Sequence, residues 1–171
     1  MRIVESPNCD ERPPNTEITL VVLHSISLPP GQYGGDAIER LFTNRLDPRA
    51  HPYYGEIAHF KVSSHYLIRR DGERVQFVPI EKRAWHAGAS SWRGRGRCND
   101  FSIGIELEGT EEDVFSDAQY EALTTLVREL RSRLALRDIA AHSDVAPGRK
   151  TDPGARFDWA RLLAALARAR F

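Results

Sequence analysis

The segment HSDVAPGRKTDPG, from His142 to Gly154, sets one imidazole, two carboxylates and two adjacent cations between two helical runs. Two prolines and two glycines mark it as a built loop rather than a helix. A second imidazole, His24, closes the apolar run ITLVVL at residues 18–23. Each of these histidines follows a strand-like run and precedes a loop, the position at which sheet folds place their chemistry. Together with Asp152 they would give zinc three protein ligands and leave a fourth position for water, as in a catalytic rather than a closed structural site. Two neutral rings and one carboxylate leave such a site net positive, and a zinc ion in it lowers the pKa of its water to about 7.

Hydrolysis also needs a group to handle protons and one to stabilise the tetrahedral oxyanion. Glu106, central in the apolar run SIGIELEG, is the candidate acid/base, because a carboxyl in such surroundings costs desolvation energy. Glu108 points to the same face, so pattern alone does not separate the two. Lys150 can bring an ammonium to the oxyanion from two residues before Asp152. His51 and His59, in an irregular segment, are expected to be solvated, and His65, inside a strand pattern, to be structural with its ring hydrogen-bonded. Sequence spacing leaves a zinc hydrolase, a structural site and no site all open.

The elements that must position these groups are a mixture of strands and helices. The β-branched run at 18–23 reads as a buried strand. Two strand-like runs in HFKVSSHYLIRRDGERVQFVPI flank Asp71 and Gly72, a hairpin signal. FSIGIELEG, residues 101–109, is a further strand, and DIAAH a short strand or turn. SDAQYEALTTLVRELRSRL is an amphipathic helix with Ser116 as its N-cap, and FDWARLLAALARARF a terminal helix. Between Ser27 and Gly55 turn chemistry dominates around one short helical stretch, AIERLFTNRL; a long ordered segment of this kind is usually functional. The expected fold is an α/β (α+β) single domain over residues 1–171, with a central mixed sheet flanked by helices.

With 24 basic and 24 acidic residues among 171, no global field favours nucleic acid or an anionic membrane as partner. The N-terminal stretch has no basic region followed by an apolar one, and no apolar run reaches the length of a bilayer span, so the expected location is the cytoplasm. Cys9 and Cys98 are expected to be free thiols.

Four blocks, HSISLPPGQYGG, IRRDGERVQFVPIEKRAWHAG, RCNDFSIGIELEGT and APGRKTDPGARFDWAR, closely resemble the cytosolic N-acetylmuramoyl-L-alanine amidases of the AmpD type, over nearly the whole chain. The resemblance implies the fold shared by zinc amidases and peptidoglycan recognition proteins. It further implies hydrolysis of the amide between N-acetylmuramic acid, particularly its 1,6-anhydro form, and L-alanine of the stem peptide, during cell-wall recycling. In bacteria that use anhydromuropeptides as signals, lost activity raises β-lactamase expression. Residue by residue it makes His24, His142 and Asp152 the Zn2+ ligands, Glu106 the acid/base, Lys150 the oxyanion cation, and Glu108 a supporting residue.

For the substrate, a small muropeptide, the resemblance points to Lys61, Arg97 and Arg149 as partners of stem-peptide carboxylates and to Trp85 as an apolar wall for the sugar. Ser25 stands where the family commonly has asparagine; its shorter side chain makes a water-mediated sugar contact the expectation. A monomer is expected. Two rivals remain: a muropeptide-binding protein without catalysis, which loss of a ligand would signal, and a phage-type amidase acting on polymeric wall.

Overall fold

A computed structural model gives the arrangement of residues 1–168. In chain order the strands and helices are β1 (Arg2–Ile3), β2 (Cys9–Glu11), β3 (Leu20–Ile26), α1 (Ala37–Phe42), α2 (Pro52–Ile57), β4 (Tyr66–Ile68), β5 (Arg74–Gln76), β6 (Lys82–Ala84), β7 (Ser91–Trp92), β8 (Arg95–Gly96), β9 (Ser102–Glu108), α3 (Asp117–Arg131), β10 (Asp138–Ala141), α4 (His142–Val145) and α5 (Trp159–Ala167). Residues 169–171, the end of the expected terminal helix, lie outside the described residues.

The main sheet has the order β1-β5-β4-β9-β3-β10 and is mixed, as expected. Strands β4, β9, β3 and β10 run parallel, β5 returns antiparallel to β4, and β1 lies parallel to β5. The β4–β5 return is the hairpin read at Asp71 and Gly72. Gly72 takes φ +88°, where a side chain would be strained, and the Asp71 carboxylate accepts the Glu73 N–H at 2.9 Å.

Strands β3 and β9 alternate strictly between two buried faces. Val21, Leu23, Ile103, Ile105 and Leu107 face one side and pack on Leu123, Leu126, Val127 and Leu130 of α3 and on Leu162 and Leu166 of α5. The opposite face of the sheet carries Leu20, Val22 and Leu67, covered by Phe42 and Leu41 of α1, by Phe77, and by Ala87, Cys98 and Phe101. His24 and Glu106 are on that second face, toward the C-terminal ends of their strands.

Helix α3 begins where Ser116 predicts. The Ser116 hydroxyl accepts the Gln119 N–H at 3.1 Å, and the Gln119 side chain accepts the Ser116 N–H at 3.0 Å, a capping box in which losing the serine costs about 1 kcal/mol. The Gln119 amide also donates to the carbonyls of Ile68 and Glu108, tying the helix start to the ends of β4 and β9. Both cysteines are free.

Three expectations change. Strand β3 continues to Ile26, so His24 lies inside the strand rather than beyond its end. A second short helix, α2, occupies part of the long segment; Pro52 leads it and His51 Nδ1 accepts the Tyr53 N–H at 3.1 Å as its cap, so His51 is not merely solvated. The segment from His142 opens with a single helical turn, α4, before becoming the expected loop. The Asp144 carboxylate turns back to accept the Ala141 N–H at 2.8 Å, which satisfies a free donor at the start of that turn.

Candidate functional site

Three chain-distant groups meet at the C-terminal edge of the parallel strands. Strand β10 pairs with β3, with Ala141 opposite Leu23, so the residue after each, His142 and His24, emerges at the same level. The loop after α4 then returns Asp152 to both rings. His24 Nδ1 lies 2.9 Å from His142 Nδ1 and 3.2 Å from Asp152 Oδ2, which is 3.1 Å from His142 Nδ1.

His24 and His142 are only 2% and 4% exposed. Burial lowers the His24 pKa to about 4, against a smaller opposing hydrogen bond to Asp152, so the ring is neutral at pH 7. Burial alone would push the Asp152 carboxyl up, but hydrogen bonding to His142 and His24 outweighs it and holds the group below the usual carboxylate range.

This donor set fits a metal cation. The His142 Nε2–H donates to the Ala87 carbonyl at 3.2 Å, which leaves Nδ1 as the free lone pair facing the cluster. One oxygen or nitrogen from each of His24, His142 and Asp152 lies within 4.8 Å of the others. Ligand atoms about 2.0–2.1 Å from a tetrahedral zinc stand roughly 3.3 Å apart, close to the spacing of this cluster. Lone pairs at such separations repel one another unless a proton or a metal ion sits among them.

The same three residues line a cavity of about 440 Å³ together with Ser25, Trp85, His86, Glu106, Arg149 and Lys150. Glu106 is the register partner of His24, and its Oε2 is buried without a hydrogen-bond partner among the described residues. Burial raises its pKa well above the carboxylate range; the neighbouring Asp152 charge adds to the rise and Lys150 opposes it. Glu108 has a different environment. Its carboxylate accepts Arg69 Nη1 at 2.8 Å and the Gly34 N–H at 2.7 Å, in a buried ion pair that supports the sheet edge.

Of the substrate-contact candidates, Trp85 and Arg149 line the main cavity. Both also border an adjoining cavity of about 230 Å³ that includes Lys61 and Lys150. The Arg149 guanidinium donates to the Ala87 and Ala89 carbonyls at 2.5 and 2.8 Å. Arg97 borders neither cavity; its guanidinium pairs with Asp100 at 3.0 Å. His65 is structural, with Nδ1 accepting the Gly104 N–H at 3.0 Å and Nε2 donating to the Lys82 carbonyl at 3.0 Å.

One residue of the site escapes sequence reasoning. His86 Nδ1 lies 2.9 Å from His24 Nε2, yet His86 sits in KRAWHAG with no periodic pattern around it. Its only sequence signal is a histidine beside the singled-out Trp85.

Comparison with known proteins supplies what geometry leaves open. The AmpD enzyme of Escherichia coli K12, a 1,6-anhydro-N-acetylmuramyl-L-alanine amidase, is 56% identical over 163 residues, covering 94% of this chain and 89% of its own. A crystal structure of a selenomethionine AmpD derivative matches with a TM-score of 0.93 at 56% identity, covering 96% of this chain and 93% of that one. The E. coli amidase AmiD, solved with the substrate anhydro-N-acetylmuramic acid-L-Ala-D-γ-Glu-L-Lys, matches with a TM-score of 0.64 at 30% identity, over 91% of this chain and 60% of that one. Residues 14–155 match the profile of the N-acetylmuramoyl-L-alanine amidases, and the chain belongs to that family.

Proposed function

We propose that this enzyme hydrolyses the amide between 1,6-anhydro-N-acetylmuramic acid and L-alanine in small muropeptides, as a monomeric, cytoplasmic, zinc-dependent amidase of peptidoglycan recycling. The observation that carries the reading is the shared cavity: the buried Glu106 carboxylate, with an oxygen unpartnered among the described residues, Lys150 and a His–His–Asp cluster all line one space. Among the described residues no helix is long and apolar enough to cross a membrane.

His24, His142 and Asp152 would hold the zinc ion, which when bound supplies a Lewis acid that polarises the scissile carbonyl and acidifies water. Glu106, a carboxyl that burial holds well above the usual carboxylate range, accepts a proton from the attacking water. It returns that proton to the departing alanine nitrogen as the C–N bond breaks. Lys150 places its ammonium against the oxyanion that forms between these two events. The products are the lactyl carboxylate of the sugar and a free peptide amine. Lys61 and Arg149 are assigned to stem-peptide carboxylates, Trp85 and Ser25 to the sugar, and Arg97, outside the cavity wall, to the outermost carboxylate in exchange for Asp100.

Mixing the zinc-loaded protein with anhydromuramyl-tripeptide and, separately, with intact peptidoglycan tests this, with products identified by mass. Chelator-sensitive release of tripeptide from the small substrate alone is expected. Release from polymer at a comparable rate would favour a wall-digesting amidase, and binding without cleavage would end the catalytic reading.

A further inference from the structure

We propose that the segment Trp85–Ala87, pinned by Asn99, aims both imidazole ligands, and that His86 is a positioning residue that fixes the tautomer of His24. The inference rests on the metal-site reading above and concerns how that site is held.

The direction of each hydrogen bond follows from the cluster. For His24 Nδ1 to offer a lone pair beside His142 Nδ1 and Asp152, the proton of this neutral ring must reside on Nε2. That Nε2 lies 2.9 Å from His86 Nδ1, which must therefore accept. His86 then carries its own proton on Nε2, 3.2 Å from Ser102 Oγ, a hydroxyl able to accept it. The chain of donors thus runs His24 to His86 to Ser102, and each step has one consistent tautomer.

The next residue does the same for the other ring. The Ala87 carbonyl accepts from His142 Nε2, so consecutive positions of one segment serve two ligands brought from opposite ends of the chain. The backbone of that segment is fixed in turn: Asn99 Oδ1 accepts the N–H groups of His86 at 3.2 Å and Ala87 at 2.8 Å.

The sheet beneath is shaped to receive the ring. A Cβ on Gly104 would lie 2.5 Å from His86 Cγ, so only glycine lets the imidazole rest on β9 at this point. Gly104 is two residues before Glu106 on the same face, which sets the ring directly behind the cluster. Partners that hold the second nitrogen of a metal-bound histidine orient the ring and raise its basicity, and losing one costs about 10–100-fold in metal affinity.

The test is zinc competition against a chromogenic chelator, with wild type, His86→Leu and His86→Asn compared. His86→Leu is expected to weaken zinc binding by about 10–100-fold. Asparagine can put Oδ1 where Nδ1 stood, so His86→Asn should recover most of the loss, which a merely space-filling role would not predict. In parallel, long-range 1H–15N spectra of the zinc-loaded wild type should show His24 protonated on Nε2, with a slowly exchanging proton. This second measurement decides the matter if His86→Leu does not fold. A folded His86→Leu that binds zinc as tightly as wild type would overturn the proposal while leaving the site's function intact, and a His24 proton on Nδ1 would overturn it together with the place of that nitrogen in the cluster. A wild type that binds no zinc would remove the metal-site reading and this proposal with it.

Discussion

His24 on β3 and Glu106 on β9 are direct partners in a parallel ladder, and their side chains therefore rise from the same face of the sheet side by side. Neighbouring strands lie about 4.8 Å apart, so the relation is set by backbone hydrogen bonding and not by the mobility of a loop. One of the two is built into the cluster, while the other keeps a buried oxygen that has no hydrogen-bond partner among the described residues.

Replacing that carboxylate should separate turnover from stability. Glu106→Gln is expected to lose about 10²–10⁴-fold in kcat while retaining zinc. A carboxyl whose folded pKa is raised contributes stability present below its unfolded pKa of 4.5 and lost as the pH rises through its folded value. In the metal-free protein at pH 7, Glu106→Gln should therefore melt higher than wild type. Calorimetry and steady-state kinetics on the same preparation check both halves; near-normal kcat with zinc bound would remove Glu106 from the mechanism.

Lys150 lines the cavity, whereas the guanidinium of its neighbour Arg149 is committed to backbone carbonyls. Lys150→Met should lower kcat by about 10²–10³-fold with little change in KM, the pattern of a charge that acts on the transition state. An equal rise in KM with kcat preserved would make it a substrate-binding cation instead.

Acid should destabilise the fold through His65. Burial, with the Arg12 guanidinium beside it, lowers its pKa from 6.5 to about 3. The unfolded chain then binds the extra proton first, so stability is full above about pH 6.5 and declines as the pH falls toward 3, by a few kcal/mol at most. Denaturant midpoints measured from pH 4 to 8 should show that slope in wild type and a shallower one in His65→Asn. Identical slopes would assign the acid sensitivity to other groups.

A methyl group at position 104 tests the packing of β9 against the ring above it. Gly104→Ala is expected to cost about 1–3 kcal/mol, because the clash is with a half-buried imidazole held by hydrogen bonds at both ends. Thermal unfolding within a few tenths of a kcal/mol of wild type would show that the ring yields readily.

The central strands and helix α3 were legible because their signals are local: apolar alternation, an Asp-Gly turn and a serine three residues before a glutamine. His24, His142 and Asp152 could be singled out as a group because in the sequence each follows an apolar strand-like run or stands in a proline-punctuated loop, although strand β3 in fact runs two residues past His24. Glu106 and Glu108 could not be told apart by alternation, which puts both on one face. Arg69, which pairs with Glu108 and not Glu106, comes from another hairpin, and that contact is tertiary. Helix α2 is a six-residue helix whose apolar residues Tyr53, Tyr54 and Ile57 are only partly buried against the core, and it is capped by an imidazole, an unusual acceptor for that position. His86 was silent for a related reason: its importance lies in a glycine eighteen residues further on and in a ring sixty-two residues earlier.

The strand order also bears on synthesis. Strand β3 finds its neighbours only in β9 and β10, so Leu20 pairs with Ser102 and with Asp138, across most of the chain. Pairings this remote carry a larger loop-closure cost than the local hairpin and helix α3. On the ribosome, His24 emerges long before Asp152, and until that residue has left the exit tunnel the three clustered groups cannot meet. A product that ends before Asp152 therefore lacks one of the three groups that cluster in the folded chain.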